Sequence, residues 1–164
     1  MSKLKSQPIQ KPRILLAASG SLAAIKFGVL ADSLSDWAEV RVVATKSALH
    51  FINRQSLPPS IKFYVDEDEW SSWGKIGDDV LHIELRKWAD VMVIASLSAN
   101  TLAKKHLESI KDLGILVISP IPKKLVCGDY GNGAMPEPSV IESTLRLAMY
   151  NREFQVKSMP LDSL

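Results

Sequence analysis

The chain has 164 residues, of which 46% are apolar and 23% charged. A chain of this length forms one domain with its own core, and its apolar content excludes a wholly disordered protein. No apolar run approaches the ~20 residues that span a bilayer, and we expect no secretory signal in the polar residues 1–12. The single cysteine, Cys127, excludes an internal disulfide and fits a reducing compartment. We expect a cytoplasmic, or also nuclear, protein.

The net charge of +2 comes from one end of the chain. Lys3, Lys5, Lys11 and Arg13 lie in the first thirteen residues, and without them 16 basic residues face 18 acidic ones. A nucleic-acid-binding protein usually carries a basic stripe on its folded part. The charge pattern therefore argues against a nucleic-acid partner, and it predicts a disordered basic tail over residues 1–12.

Short apolar runs alternate with amphipathic stretches along residues 13–150. The apolar runs predict strands over 13–18, 39–44, 61–65, 91–95 and 115–119. Helical spacing predicts helices over 21–37, 47–53, 82–89, 100–113 and 138–150, and residues 151–164 are predicted to be a loose tail. Alternating strands and helices imply right-handed crossovers, so the sequence predicts an α/β fold with a doubly wound parallel sheet.

Small polar residues follow three of the predicted strands. Ser19, Gly20 and Ser21 follow the first strand, residues 45–47 follow the second, and residues 98–101 follow the fourth. Ligands of open α/β sheets bind beyond the carboxyl ends of the strands, although any single cluster of this kind could also be a helix cap. The dinucleotide and P-loop glycine patterns are absent, so a mononucleotide such as FMN fits best.

His82 begins a predicted helix, where the helix dipole favours a neutral imidazole that can accept a proton. The alternative is a histidine packed on the stripe of Leu85 and Ala89. His50 and His106 have no partners at metal-ligand spacing, so no metal site is predicted.

A glycine-rich segment follows Cys127, with three glycines between residues 128 and 133. It predicts a mobile flap, and Asn132-Gly133 predicts the tight turn of a hairpin. The alternative is an ordinary surface turn with an inert thiol. Lys123 and Lys124 precede the segment and are either ligands of a substrate phosphate or solvated charges.

Several of these segments resemble one family. Residues 15–27 (LLAASGSLAAIKF) resemble the FMN-phosphate turn of flavin-dependent cysteine decarboxylases. Residues 66–73 (DEDEWSSW), 81–86 (LHIELR), 98–101 (SANT) and 127–135 (CGDYGNGAM) are similar to the plant halotolerance-type phosphopantothenoylcysteine decarboxylases. The resemblance runs from about residue 11 to residue 150. It implies a Rossmann-like, three-layer flavoprotein fold that uses FMN.

The resemblance also implies an activity, namely decarboxylation of 4′-phospho-N-pantothenoylcysteine to 4′-phosphopantetheine in coenzyme A biosynthesis. By motif match, His82 is the catalytic base and Cys127 the acid. The residues implied to hold FMN are Gly20, Ser21, Leu22, Thr45, Lys46, Ser47, Ser98, Ala99, Asn100 and Thr101. Those implied to contact the substrate are Lys124, Val126 and Met135. The family forms homotrimers with the active site between protomers.

The chain departs from the family pattern after Lys104, where a segment of roughly 40 residues, about one β-α unit, is missing. In the family this segment contains a Pro-x-Met-Asn loop whose asparagine holds the substrate carboxylate. The shortened chain is predicted to keep a sheet of about five strands in the order 3-2-1-4-5. The departure leaves an alternative function, a non-catalytic family member acting as a regulatory subunit or in mixed trimers with full-length relatives. A flavin-dependent reductase is a third possibility.

Overall fold

The computed structural model describes residues 10–97, 115–124 and 130–158. Strands β1 (Arg13–Ala18), β2 (Glu39–Ala44), β3 (Lys62–Tyr64) and β4 (Val91–Ile94) form one parallel sheet. Its order is β3-β2-β1-β4, which confirms the predicted parallel α/β architecture and the order of its first four strands.

The helices of the described residues follow the predicted positions with some differences. They are α1 (Phe27–Ser35), α2 (Asp66–Ser72), α3 (Leu81–Trp88) and α4 (Pro138–Ser158). Shorter 3-10 segments cover Leu22–Lys26, Lys46–His50 and Arg54–Ser56. The first predicted helix therefore begins as a 3-10 turn, a common way for helices to start. The last helix continues past its predicted end at residue 150, and no spacing signal had indicated α2.

The core lies between one face of the sheet and the helices α1 and α4. Alternate residues of a strand point to the same face, and this face contributes Ile14, Leu16, Ala18, Val40, Val42 and Ala44. The two helices contribute Phe27, Leu30, Ala31, Leu34, Ile141 and Leu145. Strand β1 is central, and five of its six residues are buried. Burial of this apolar stripe fixes α1 and α4 on the sheet.

An ion pair joins the amino ends of β1 and β4. The backbone N–H of Arg13 donates to Asp90 Oδ2 at 2.8 Å, and the Arg13 guanidinium donates to Oδ1 at 2.8 Å. The backbone N–H of Asp90 in turn donates to the carbonyl oxygen of Arg13 at 2.9 Å. These reciprocal bonds position the start of β4 beside the start of β1, so the two strands pair in register from their amino ends.

Two predictions about the second half of the chain are wrong. The run 115–119 is not a fifth strand: it has no regular structure, although Ile118 packs against the core. An apolar run predicts burial, whereas a strand also needs a hydrogen-bonded neighbour. Asn132 and Gly133 are not a turn but lie within β6 (Tyr130–Ala134), which pairs antiparallel with β5 (Ile121–Lys124). Pairing of the two strands overrides the local turn preference. The helix predicted over 100–113 lies outside the described residues.

Within the described residues, no helix is both long and apolar enough to cross a membrane.

The packing of α1 makes a direct prediction for stability. Leu30 is fully buried, whereas its neighbour Val29 is 63% exposed. Leu30→Ala should lower the free energy of unfolding by about 2–5 kcal/mol because it leaves a cavity in the core. Val29→Ala, the matched control on the exposed face, should change it by less than about 0.5 kcal/mol. Urea denaturation of both variants measures the difference, and equal losses would contradict the assigned core.

Glu142 on α4 makes a prediction for pH dependence. The Ser33 hydroxyl donates to its carboxylate, and Arg146 pairs with it at 2.9 Å, and together they lower the pKa of Glu142 below its usual 4.5. Because the pKa of Glu142 is lower in the folded than in the unfolded chain, its charge stabilises the folded protein at pH values above the unfolded-state pKa. This stabilisation is lost as the pH falls through the folded-state pKa.

Glu142→Gln should therefore lower the melting temperature at neutral pH, and the difference from the wild type should shrink as the pH falls below about 4.5. Thermal unfolding across this range measures it. Glu67→Gln, which removes an exposed carboxylate on α2, is the matched control for loss of one negative charge. A pH-independent difference for Glu142→Gln would contradict the role of its charge.

Candidate functional site

A cleft of about 430 Å³ opens where the carboxyl ends of the strands meet α2 and α3. Its apolar lining includes Ala17, Val43, Tyr64, Leu85, Met92 and Ile94, and its polar lining includes Ser19, Thr45, Asp66, Glu69 and His82. The cleft uses the sheet face opposite to α1 and α4, on which Met92 and Ile94 remain about half exposed. Its position is the edge at which open α/β sheets bind their ligands.

The loops after β1 and β2 approach each other very closely at Gly20. A Cβ atom at Gly20 would lie 2.4 Å from Ser47 Oγ and 2.6 Å from Ser47 Cβ, so only glycine fits. Thr45 Oγ1 lies 3.1 Å from Ser47 Oγ. Ser21 caps the 3-10 segment that follows, since its Oγ accepts from the backbone N–H of Ala23 at 3.3 Å. Two of the predicted polar clusters are thus in contact.

The ends of β1 and β4 are joined by Ser19 and Ser96. The backbone N–H and the Oγ of Ser19 both donate to the Ser96 carbonyl oxygen, at 3.0 and 3.3 Å. The side-chain hydroxyl of Ser96 is itself buried and has no hydrogen-bond partner among the described residues. A buried hydroxyl with unused hydrogen-bonding capacity fits a polar ligand at this strand end.

Lys46 and Leu22 lie exposed at the same edge of the sheet. The backbone N–H of Lys46 donates to Asp66 Oδ2 at 3.4 Å, and its Nζ lies 4.0 Å from Glu67 Oε1. The acidic start of α2 therefore borders the loop after β2.

His82 is the second residue of α3 and lines the cleft. Its backbone N–H donates to Glu69 Oε2 at 3.0 Å, and its Nδ1 lies 2.7 Å from Glu69 Oε1. Its side chain is 73% exposed, so the alternative of a histidine packed on the helix stripe does not hold. Sequence reasoning missed Glu69, although the acidic run 66–69 was the signal for it.

The remaining predicted site residues are not all described. Residues 98–101, Val126 and Cys127 lie outside the described part of the chain. Lys124 ends β5, opposite Tyr130. Met135 follows β6 and packs against the core, and it is not among the residues that line the cleft. In the part of the chain that the structure describes, no group of three His, Cys, Asp or Glu could hold a metal ion.

Comparisons with known proteins identify the family of this chain. The family described as Flavoprotein matches residues 2–105. The phosphopantothenoylcysteine decarboxylase of Oryza sativa subsp. japonica is 53% identical over 191 residues, which covers 92% of this chain and 87% of that protein. The phosphopantothenoylcysteine decarboxylase of Arabidopsis thaliana is 53% identical over 178 residues, covering 84% of this chain and 85% of that protein.

A solved structure is also similar to this chain. It is a PPC decarboxylase with a cysteine-to-serine substitution, complexed with pantothenoylaminoethenethiol. Its TM-score is 0.83 at 51% identity, and the match covers 86% of this chain and all of that one. The chain thus belongs to the flavoprotein family and, within it, to the phosphopantothenoylcysteine decarboxylases.

Proposed function

We propose that this chain catalyses the FMN-dependent decarboxylation of 4′-phospho-N-pantothenoylcysteine to 4′-phosphopantetheine, a step of coenzyme A biosynthesis. The observation that carries the proposal is the strand-end cleft lined by Ser19, Thr45 and His82, with Gly20 directly after Ser19 at the same edge of the sheet. The names of the relatives favour this function over a regulatory subunit or a reductase. We also propose a cytoplasmic location, which the single cysteine supports.

The described residues fit FMN in two respects. Gly20 allows the loops after β1 and β2 to come into contact at the strand ends, where a Cβ would overlap Ser47, and the buried Ser96 hydroxyl has unused hydrogen-bonding capacity. The residues proposed to hold the group are Gly20, Ser21, Leu22, Thr45, Lys46 and Ser47, together with residues 98–101. Bound FMN would supply the two-electron oxidation that makes loss of CO₂ possible and would return the electrons afterwards.

The chain's own residues are proposed to bind the substrate and move its protons. His82 acts as the base, since its side chain lies exposed in the cleft and its Nδ1 contacts the carboxylate of Glu69. Cys127 acts as the acid that protonates the intermediate left by the loss of CO₂, and Lys124, Val126 and Met135 contact the substrate. The roles of these four residues rest on the resemblance alone. We further propose that the chain assembles as a homotrimer or as a mixed trimer with full-length relatives.

We infer that a segment is missing after Lys104, and two observations support this. The family match ends at residue 105. The alignment to the Oryza sativa protein runs over 191 residues, whereas 92% of this 164-residue chain is only about 151, so about 40 positions face a gap.

The missing segment affects the expected rate. Loss of one hydrogen-bond donor that is positioned in an active site typically slows a reaction by about 10²–10³. Turnover should be slower than in a full-length relative by at least this factor.

The visible spectrum, the native mass and CO₂ release from phosphopantothenoylcysteine together test the proposal. We expect a yellow trimer that releases CO₂ slowly. His82→Asn should abolish turnover and retain the flavin, because the base is lost and the FMN contacts remain. His50→Asn, the control histidine, should leave both unchanged. A colourless protein would contradict FMN binding, and a yellow protein without CO₂ release would contradict decarboxylation.

Gly20 allows a separate test of the FMN site. Gly20→Ala should release bound FMN because the new Cβ would overlap the Ser47 side chain at 2.4–2.6 Å. Gly28→Ala is the matched control, since its nearest neighbour, Ser56 Oγ at 2.9 Å, lies at the end of a side chain that can rotate. Flavin absorbance per protein after gel filtration measures retention. Full retention by Gly20→Ala would contradict the assigned turn.

A further inference from the structure

One carboxylate holds His82 at two points. Glu69 Oε2 accepts from the backbone N–H of His82 at 3.0 Å, and Glu69 Oε1 lies 2.7 Å from Nδ1 of the ring. The Glu69 side chain is only 25% exposed, whereas that of His82 is 73% exposed. Glu69 therefore holds the ring at Nδ1, and the exposed part of the ring faces the cleft, which both residues line.

The chemistry of the contact determines which ring nitrogen carries the proton. An ionised carboxylate only accepts hydrogen bonds, so Nδ1 must be the donor. A neutral imidazole has one N–H, so its Nε2 then carries the lone pair that can take a proton. A second hydrogen bond to the backbone at the same residue limits how the helix start and the ring can move relative to Glu69.

The other acidic residues at the start of α2 have different partners. Asp66 accepts from the backbone of Lys46, and Asp68 accepts from the backbone N–H of Val65 at 2.8 Å. Glu67 lies near the ammonium group of Lys46. Glu69 is the one member of this run with a described hydrogen bond to α3.

We propose that Glu69 is the positioning residue of His82. It holds the imidazole in the tautomer with the proton on Nδ1 and keeps Nε2 available as the proton acceptor. The inference rests on the proposed function only for the role of His82 as base, because the tautomer itself can be measured without turnover.

The Glu69→Gln variant distinguishes a residue that sets the tautomer of His82 from one that only supports helix α3. The glutamine oxygen can still accept from the His82 backbone N–H, but its NH₂ group then faces Nδ1 and can only donate. The ring is expected to respond by moving its proton to Nε2. Glu84→Gln is the control, since Glu84 lies on the same helix as His82 and pairs with the exposed Lys87.

Two-bond ¹H–¹⁵N correlation spectra of the full chain with ¹⁵N-labelled histidine report which nitrogen is protonated. They are recorded at a pH above the titration of the His82 signals, which are assigned by their loss in His82→Asn. We expect the Nδ1–H form in the wild type and in Glu84→Gln, and a shift to the Nε2–H form in Glu69→Gln. In active protein, kcat should fall about 10–100-fold in Glu69→Gln with FMN retained.

Two results would overturn the proposal. The first is an Nε2–H tautomer in the wild type, which would do so even if Glu69→Gln failed to fold. The second is an unchanged tautomer in a folded Glu69→Gln variant; if its melting temperature is also lowered, Glu69 only joins two helices. Absence of flavin or CO₂ release would instead contradict the proposed function and would leave the tautomer result valid.

Discussion

Strand β1 is hydrogen-bonded to a parallel neighbour along each edge, and this double pairing positions the loops that follow three of the strands. The ladder continues past the ends of the strands. The backbone N–H groups of Thr45 and Ala95 donate to the carbonyl oxygens of Ala18 and Ala17 at 3.1 and 2.9 Å, and that of Ser19 donates to Ser96. Because buried backbone groups need partners, these bonds fix the first residues of three loops. The polar residues of those loops are held at one edge by the sheet itself.

The two faces of the sheet have different roles. One face is covered by α1 and α4 and forms the core. The other face carries α3 through Leu85, and it leaves Met92 and Ile94 partly open beside the cleft. The Arg13–Asp90 pair lies at the amino end of the sheet. In the middle of β2, the Arg41 guanidinium lies 4.0 Å from the centre of the Trp88 ring at the end of α3.

Much of this fold follows from local patterns. Apolar runs predicted all four strands of the sheet, and alternation with helices predicted their parallel pairing. The polar strand ends and the position of His82 at the start of a helix were also visible in the sequence. The segment 115–119 shows the limit of such patterns, because it has the composition of a strand and no strand pairing. Asn132 and Gly133 show the same limit, since they have turn composition and lie in β6.

The strands and the edge at which a ligand would bind follow from hydrophobic periodicity and from the polar residues after the strands, which are local along the chain. The family and the order of the first four strands follow from the resemblance of short motifs. The contacts of Gly20 with Ser47 and of Glu69 with His82, 13 residues away, become visible only in the folded chain. Such contacts depend on how two loops or two helices lie against each other. That arrangement is set by packing and backbone pairing across the whole sheet, so spacing within any single segment does not reveal it.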